Sequence, residues 1–560
     1  MFFNPLMPHT LSDKTTKWLY FFITIAVLVN FSGLFVVILG PDGALYASIS
    51  KTMALNNNFL ELFVDGKDWL DKPHFPFWIA ALSFKLFGFS TWAYKLPAVL
   101  FSMLGAWYTY RFAKDLYGRK TALWSVLIYL TAEHLVISNM DVRAEPYLTG
   151  LIIASVYYYY KAKISTSWFF PILLGSVFAG CAVMTKGIFA LIPICGAIAG
   201  EIMFKKEWKS LFNIRWLVAA VLVFICMLPE LFSLYYQFDL HPEKVVFGQT
   251  KVSGLKFFFW DSQFGRFFNT GPIQKSSGDP SFFLHTILWA FLPWSLLFYA
   301  SIVQFVRINF NKVQQAEWYC ISAALITTLI FSASKFQLPH YIIIVFPFFS
   351  ILTAQYVCRL KFKKTVNTVR LTQLIVIILM LATVGVLHFF FAPKQVPVVA
   401  VLLLAAGVAL LIAVSLTPIN GQFKILFQCC SVAFLVNIYF NLVYYPNLVK
   451  YQADNEAAFW LNAHNPDQLP VVQKKNGHSH AMSFYLDQPL WIMNDGAPLP
   501  KPPYILFADA PFIQQLEKEG KKVTHIKSFD QFRVTRLNGT FLDHETRSTA
   551  VTTDQLVVIK

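Results

Sequence analysis

The sequence predicts an all-α polytopic membrane domain followed by a small C-terminal α/β domain, and three observations carry that expectation. The 560 residues are 56% hydrophobic and only 14% charged, against about a quarter charged in an ordinary soluble domain. Apolar stretches of about 20 residues, enough to cross a hydrocarbon core of about 30 Å as helix, recur from residue 18 to residue 445. After Tyr445 the composition turns to Asn, Asp, Gln, Lys and Pro, with short apolar bursts in place of long runs. A soluble multidomain chain, a disordered chain and a fibre are excluded, because 57 Phe and 15 Trp with so few charges neither dissolve nor stay unfolded.

Taken in order, the first run, 18–39, follows Lys17. It is too long for a signal-peptide core and lacks a small-residue cleavage site, so it reads as the first span. Twelve further runs read as spans: 93–112, 121–139, 146–160, 167–184, 187–203, 215–235, 281–306, 315–334, 339–358, 371–391, 396–416 and 424–445. Basic clusters such as Lys205, Lys206 and Lys209, or Arg359, Lys361, Lys363 and Lys364, fall in alternate connections, which places those connections and the N-terminus in the cytoplasm. The net charge of +16 therefore records topology, and no nucleic-acid partner is expected.

Three connections on the opposite side are long: 40–92, 236–280 and everything after 445. Within the first, the apolar piece 75–88 is short for a span and is expected as an interfacial or re-entrant helix. The expected division is 1–445 for the transmembrane domain and 446–560 for an extracytoplasmic α/β domain. In the latter, 470–473, 504–508 and 555–559 read as strands and 453–463 and 511–520 as helices. The seven cysteines lie in or beside apolar stretches without metal-ligand spacing and read as packing residues.

An ionisable residue beside a span is costly unless paired, so each one marks a possible site. Several collect on the outer side. Asp42 stands at the exit of the first span, Asp141, Arg143 and Glu145 precede the span at 146–160, Lys186 lies at the outer edge of the next, and Lys72 and Arg266 lie in the long loops. Cations gathered there can neutralise a lipid phosphate, and a carboxylate beside them can take the proton of a hydroxyl or hold an amine or sugar. The plainer alternatives are that Lys72 and Lys335 only snorkel to headgroups and that Arg143 only pairs with Asp141. A transporter or flippase for lipid-linked sugars is the competing class. It would call for inverted repeats and polar residues on both sides, and the sequence has neither.

The run Asp42-Gly43-Ala44-Leu45-Tyr46-Ala47-Ser48-Ile49, with Asp71-Lys72-Pro73 about 30 residues later, resembles the first outer loop of the lipid A aminoarabinose transferases. Met184-Thr185-Lys186-Gly187, Trp260 with Arg266-Phe267, Leu292-Pro293-Trp294 and Lys335 with Leu338-Pro339 and Tyr341 are similar to further motifs of that family, in the same order. The wider superfamily, with the GT-C fold, includes the dolichyl-phosphate-mannose protein mannosyltransferases. The resemblance covers essentially the whole chain. It implies a GT-C glycosyltransferase of about thirteen spans in the bacterial inner membrane, with active site and C-terminal domain on the extracytoplasmic side. The implied partners are the bilayer, a polyprenyl-phosphate-linked sugar as donor, and a glycolipid, protein or other glycan as acceptor.

Carried over by position, Asp42 matches the essential acid of the first loop, Glu145 stands where the aminoarabinose transferases have an Asp-Pro pair, and Lys72, Arg266 and Tyr341 match residues that hold the lipid phosphate. Two positions depart from the family: Gly43 replaces an acid after Asp42, and Ser262-Gln263 replaces a Glu-His pair before Arg266. The implied mechanism is a single displacement at the anomeric carbon, hence inversion. No Gly-rich nucleotide loop precedes the spans, and no Asp-x-Asp stands near Asp42 or Asp141. Chemistry without metal or cofactor is therefore expected. The geometric expectations are that Asp42 and Glu145 face each other with Asp141 nearby, and that Lys72 and Arg266 meet in one cavity with Lys186 as a third cation.

Overall fold

A computed structural model of the chain describes residues 13–274, 278–309, 313, 316–419, 421–474, 480–493 and 498–560. Every run read as a span is helical over most of its length, from Asp13–Ser32 to Gly421–Tyr439. Among the described residues, seven helices are long and apolar enough to cross a membrane alone, and the pair Arg119–Leu130 and Glu133–Met140, bent by 53°, makes an eighth. The other runs form shorter helices such as Tyr319–Ala333, or more polar ones such as Thr91–Tyr117 and Glu145–Ile164. Glu145–Ile164 is buried along most of its length by its neighbours. A helix enclosed by others does not need an apolar surface all round, so length and apolarity alone license eight of the thirteen runs. By contrast, Lys363–Phe391 and Val398–Leu416 present side chains such as Phe389, 69% exposed, and Leu402, 63% exposed. Such bare apolar faces belong against lipid.

Where helices break inside the bundle, side chains of other segments take up the freed backbone groups, as the absence of water demands. Lys95, fully buried, donates to the carbonyls of Gly33 at 3.2 Å and Val36 at 2.5 Å, where the first span unwinds. At the bend near Thr131, Asn30 Nδ2 donates to Leu130 O at 2.9 Å, while Trp294 Nε1 donates to the Thr131 side-chain hydroxyl at 3.0 Å.

The first long loop is tied both to the helix Ile214–Leu234 and to the second long loop that follows it. His74 donates its backbone N–H to Glu230 at 2.8 Å, and its Nδ1 lies 3.0 Å from the same carboxylate, both side chains fully buried. Gln237 exchanges two 3.0 Å bonds with the backbone of Leu62, and Lys244 reaches Glu61 and Asp68 at 2.9 Å. The apolar piece of the first loop is the helix Phe75–Phe87, whose Ser83 bonds to Ala93 O at the start of the next long helix.

The C-terminal segment forms a mixed sheet in the strand order Leu490–Met493, Val471–Lys474, Tyr504–Asp509, Thr552–Ile559, Val523–Gln531. The first three strands run parallel, and Thr552–Ile559 runs antiparallel to both its neighbours. Alternation along the strands sends Ile505 and Phe507 to one face, against the helix Ala453–His464, and Leu506 to the other, with Ile513 of the helix Ala510–Lys518. The unit docks on the helical body at two places. Lys51 donates to the carbonyls of Phe484 at 2.8 Å and Leu486 at 2.6 Å, and Arg547 donates to Phe391 O at 2.5 Å, capping the end of Lys363–Phe391.

Candidate active site

Three helix ends supply the charged wall of one cleft. Asp42 lies in the first turn of Pro41–Asn56 and Glu145 opens Glu145–Ile164, both at helix N-termini where a carboxylate is favoured. Lys186 is the last residue of Phe169–Lys186, at a C-terminus where a cation is favoured. Gly187 follows at φ +92°, and any Cβ there would strike the amide of Gln263. Gln263 donates to Lys186 O at 3.2 Å, which helps hold the lysine's turn in place. Gly40 is equally constrained, since its N–H bonds to Asp141 Oδ1 at 2.9 Å and a Cβ would collide with that carboxylate. Gly43 faces the same carboxylate, and a Cβ there would lie 3.1 Å from Asp141 Oδ1 and 3.0 Å from Ile38, tight enough that a neighbour would have to shift.

The cleft encloses about 530 Å³ of space including its open mouth, and Asp42, Glu145, Lys72, Lys186, Arg266 and Tyr341 all line it. At one end Asp42 pairs with Arg143 at 3.0 Å. Arg143 reaches Asp141 at 3.5 Å, and its Nη1 lies 3.5 Å from Nδ1 of His340. Because a guanidinium only donates, that ring nitrogen accepts, which leaves the proton on Nε2, 3.8 Å from Glu145. Glu145, nearly fully buried, also forms a short ion pair with Lys186, whose ammonium stands 3.6 Å above the Tyr341 ring.

At the other end Lys72 Nζ lies 3.2 Å from both oxygens of Asp71, and Arg266 bonds to the same carboxylate. Burial pushes the Asp71 carboxyl up, but Lys72 and Arg266 more than offset this and hold it below the usual carboxylate range. Burial, reinforced by the charges of Arg266 and Lys186 and opposed by Asp71, lowers the Lys72 ammonium to about 8. Beyond these cations runs an apolar groove lined by Leu148, Phe189, Phe267, Phe331 and Ile344, with Lys186, Arg266 and Tyr341 at its head.

The structure thus brings Lys72 and Arg266 onto one carboxylate, and Asp42 and Glu145 into one cleft. Asp141, expected near the two facing acids as a further acid of the site, does not line the cleft: its carboxylate is taken up by Gly40 N–H and Arg143, and it sits behind Arg143. Arg143 in turn is more than a partner of Asp141, because it also pairs with Asp42 and lines the cleft. Lys335 is bound through its backbone to Phe267 and stays outside the cleft lining. Sequence reasoning gave no role to His340 or Asp71. Both sat inside quoted motifs, next to Tyr341 and Lys72, and that adjacency was the available signal.

The family described as dolichyl-phosphate-mannose-protein mannosyltransferase matches residues 71–232. A protein of Aquifex aeolicus is 26% identical over 422 residues, 74% of this chain and 78% of its own length. The undecaprenyl phosphate-alpha-4-amino-4-deoxy-L-arabinose arabinosyl transferase of Edwardsiella ictaluri is 28% identical over 327 residues, 57% of this chain and 55% of its own length. The match therefore spans about half of that curated relative. The crystal structure of ArnT from Cupriavidus metallidurans bound to undecaprenyl phosphate superposes with a TM-score of 0.70 at 16% identity, covering 97% of this chain and 98% of that one. Its apo form superposes with a TM-score of 0.71 at 16% identity, covering 98% of both chains. A likeness of that extent establishes the fold. The chain therefore has the fold of the ArnT structures and is similar in sequence to the mannosyltransferase family over residues 71–232 and to the arabinosyl transferases over about half its length.

Proposed function

We propose that this protein moves a sugar from a polyprenyl-phosphate carrier to an extracytoplasmic acceptor, by direct displacement with inversion. The observation that carries the reading is a single cleft with carboxylates at one end, cations at the other, and an apolar groove leaving the cation end. The related arabinosyl transferases are named for an undecaprenyl phosphate donor, which fits the same layout. Lys72 and Arg266 take the donor phosphate, Tyr341 and Lys186 close its seat, and the isoprenoid chain follows the groove.

The anomeric carbon then faces Asp42 and Glu145. An acceptor oxygen attacks it, the bond to the phosphate oxygen breaks, and the electron pair leaves with the lipid phosphate. Cations fixed at the leaving group stabilise its developing charge, usually the largest electrostatic contribution to such catalysis. A neutral hydroxyl acceptor gives its proton to Asp42, the more exposed acid. With an acceptor that is already anionic, Asp42 instead holds a cationic amino-sugar. The acceptor is a glycolipid, a protein or another glycan.

Mass spectrometry of lipid A and of envelope glycoproteins from a deletion strain tests the reading. Loss of one sugar substituent, restored by the wild-type gene and not by Arg266→Ala, is expected. Unchanged lipid A and glycoproteins would overturn it. The sidedness is read by thiol labelling: in intact spheroplasts an impermeant reagent should label a cysteine at Lys501 and spare one at Lys363, and the reverse would put the cleft in the wrong compartment.

A further inference from the structure

The donor end of the cleft is neutralised from within. Asp71 occupies the space between Lys72 and Arg266, bonding to both, and takes no part in the displacement described above. Arg266 Nε is buried without a partner, so the guanidinium fork is only partly used by this carboxylate. The third cation, Lys186, is likewise tied to an acid, Glu145. A carboxylate held by a lysine and an arginine has the charge sign, the planar oxygen pair and the contacts of two phosphate oxygens.

We propose that Asp71 is a built-in competing anion that matches the phosphate seat to a phosphodiester donor and drives off the phosphomonoester product. The inference rests on the polyprenyl-phosphate reading and assigns the selectivity of that same seat. The donor is a diester with one negative charge. Transfer breaks its bond to the sugar and leaves a monoester, which carries about −1.5 to −2 at pH 7. Lys72 and Arg266 alone present two positive charges and would hold the product more tightly than the donor. With Asp71 between them the seat carries a net single positive charge, suited to the diester. When the extra charge appears on the product, Asp71 repels it and returns to the two cations as the lipid phosphate leaves.

The full chain in detergent is titrated with a short-chain polyprenyl phosphate, its methyl diester and the uncharged polyprenol of the same length. Asp71→Asn should tighten the monoester about tenfold more than the diester, the scale of one charged hydrogen bond. Inhibition by added monoester should rise in step, and Asp71→Glu should restore the wild-type preference. An unchanged monoester-to-diester ratio in Asp71→Asn, or weaker monoester binding, overturns the proposal and leaves Asp71 as a positioning group for the two cations. If the wild type binds neither phosphate better than the polyprenol, the phosphate seat itself is wrong, and the donor reading falls with this role.

Discussion

At one end of the cleft a carboxylate, Asp71, lies between Lys72 and Arg266; at the other a guanidinium, Arg143, lies between Asp42 and Asp141. The arrangement is the same with the signs exchanged, but exposure separates the two. The Asp42 side chain is 47% exposed, whereas those of Lys72 and Arg266 are 15% and 12% exposed. A buried charge without a partner costs several kcal/mol, so the donor end must carry its own counter-ion. Asp42 is the half-exposed member of its pair, and Arg143 keeps Asp141 as a partner when Asp42 turns away, so Asp42 can leave Arg143 when an acceptor arrives without stranding a buried charge. In the proposed reading the cation end is thus suited to hold its ligand and the acid end to exchange it.

The most forceful way to break this contrast is Asp42→Asn. If Asp42 takes the acceptor proton, turnover should fall by roughly 10²–10⁴-fold with donor affinity nearly unchanged. A loss confined to donor binding would move Asp42 to the amino-sugar contact, and full activity would remove it from the chemistry.

A smaller effect is expected at the buried end. Arg266→Ala should weaken donor binding by roughly 10–100-fold, and Arg266→Lys, which keeps the charge and loses the fork, should fall between it and the wild type. Donor titration by calorimetry reads this, and unchanged binding in Arg266→Ala would reduce the arginine to a loop ion pair.

The pH profile sharpens the comparison with the smallest change. In the proposed reading Lys72, lowered to about 8, binds phosphate as the ammonium, so its contribution is complete well below that value and lost as pH rises through it. Asp71 is also shifted downward, which for a carboxylate keeps it ionised further into the acid range, so it sets no limit near neutrality. Donor kcat/KM should thus fall about tenfold by pH 9, and Lys72→Arg should move the fall to higher pH. A profile flat to pH 10 would show that Lys72 is not needed charged.

Much of the helical body was legible because hydropathy is a local property: the runs at 167–184 and 371–391 became Phe169–Lys186 and Lys363–Phe391. In the C-terminal segment, the apolar bursts at 470–473, 504–508 and 555–559 became strands. The strand Val523–Gln531 was missed because it is a polar, largely exposed sheet edge whose burial does not alternate. Lys95 was missed because a lysine in an apolar run reads as an interruption. Its partners, the carbonyls of Gly33 and Val36, lie some 60 residues earlier.

Where the helices run, and that the acids and cations of the site gather on one side of the helical body, could be read from the chain alone. The bilayer imposes both through rules that act on neighbouring residues, namely span length and the charge bias of loops. Only the tertiary structure decided which charge neutralises which. It set Asp71 rather than solvent between Lys72 and Arg266, moved Asp141 behind Arg143, and brought His340 to Glu145. Electrostatic pairing depends on distance and burial in space, and spacing along the chain fixes neither.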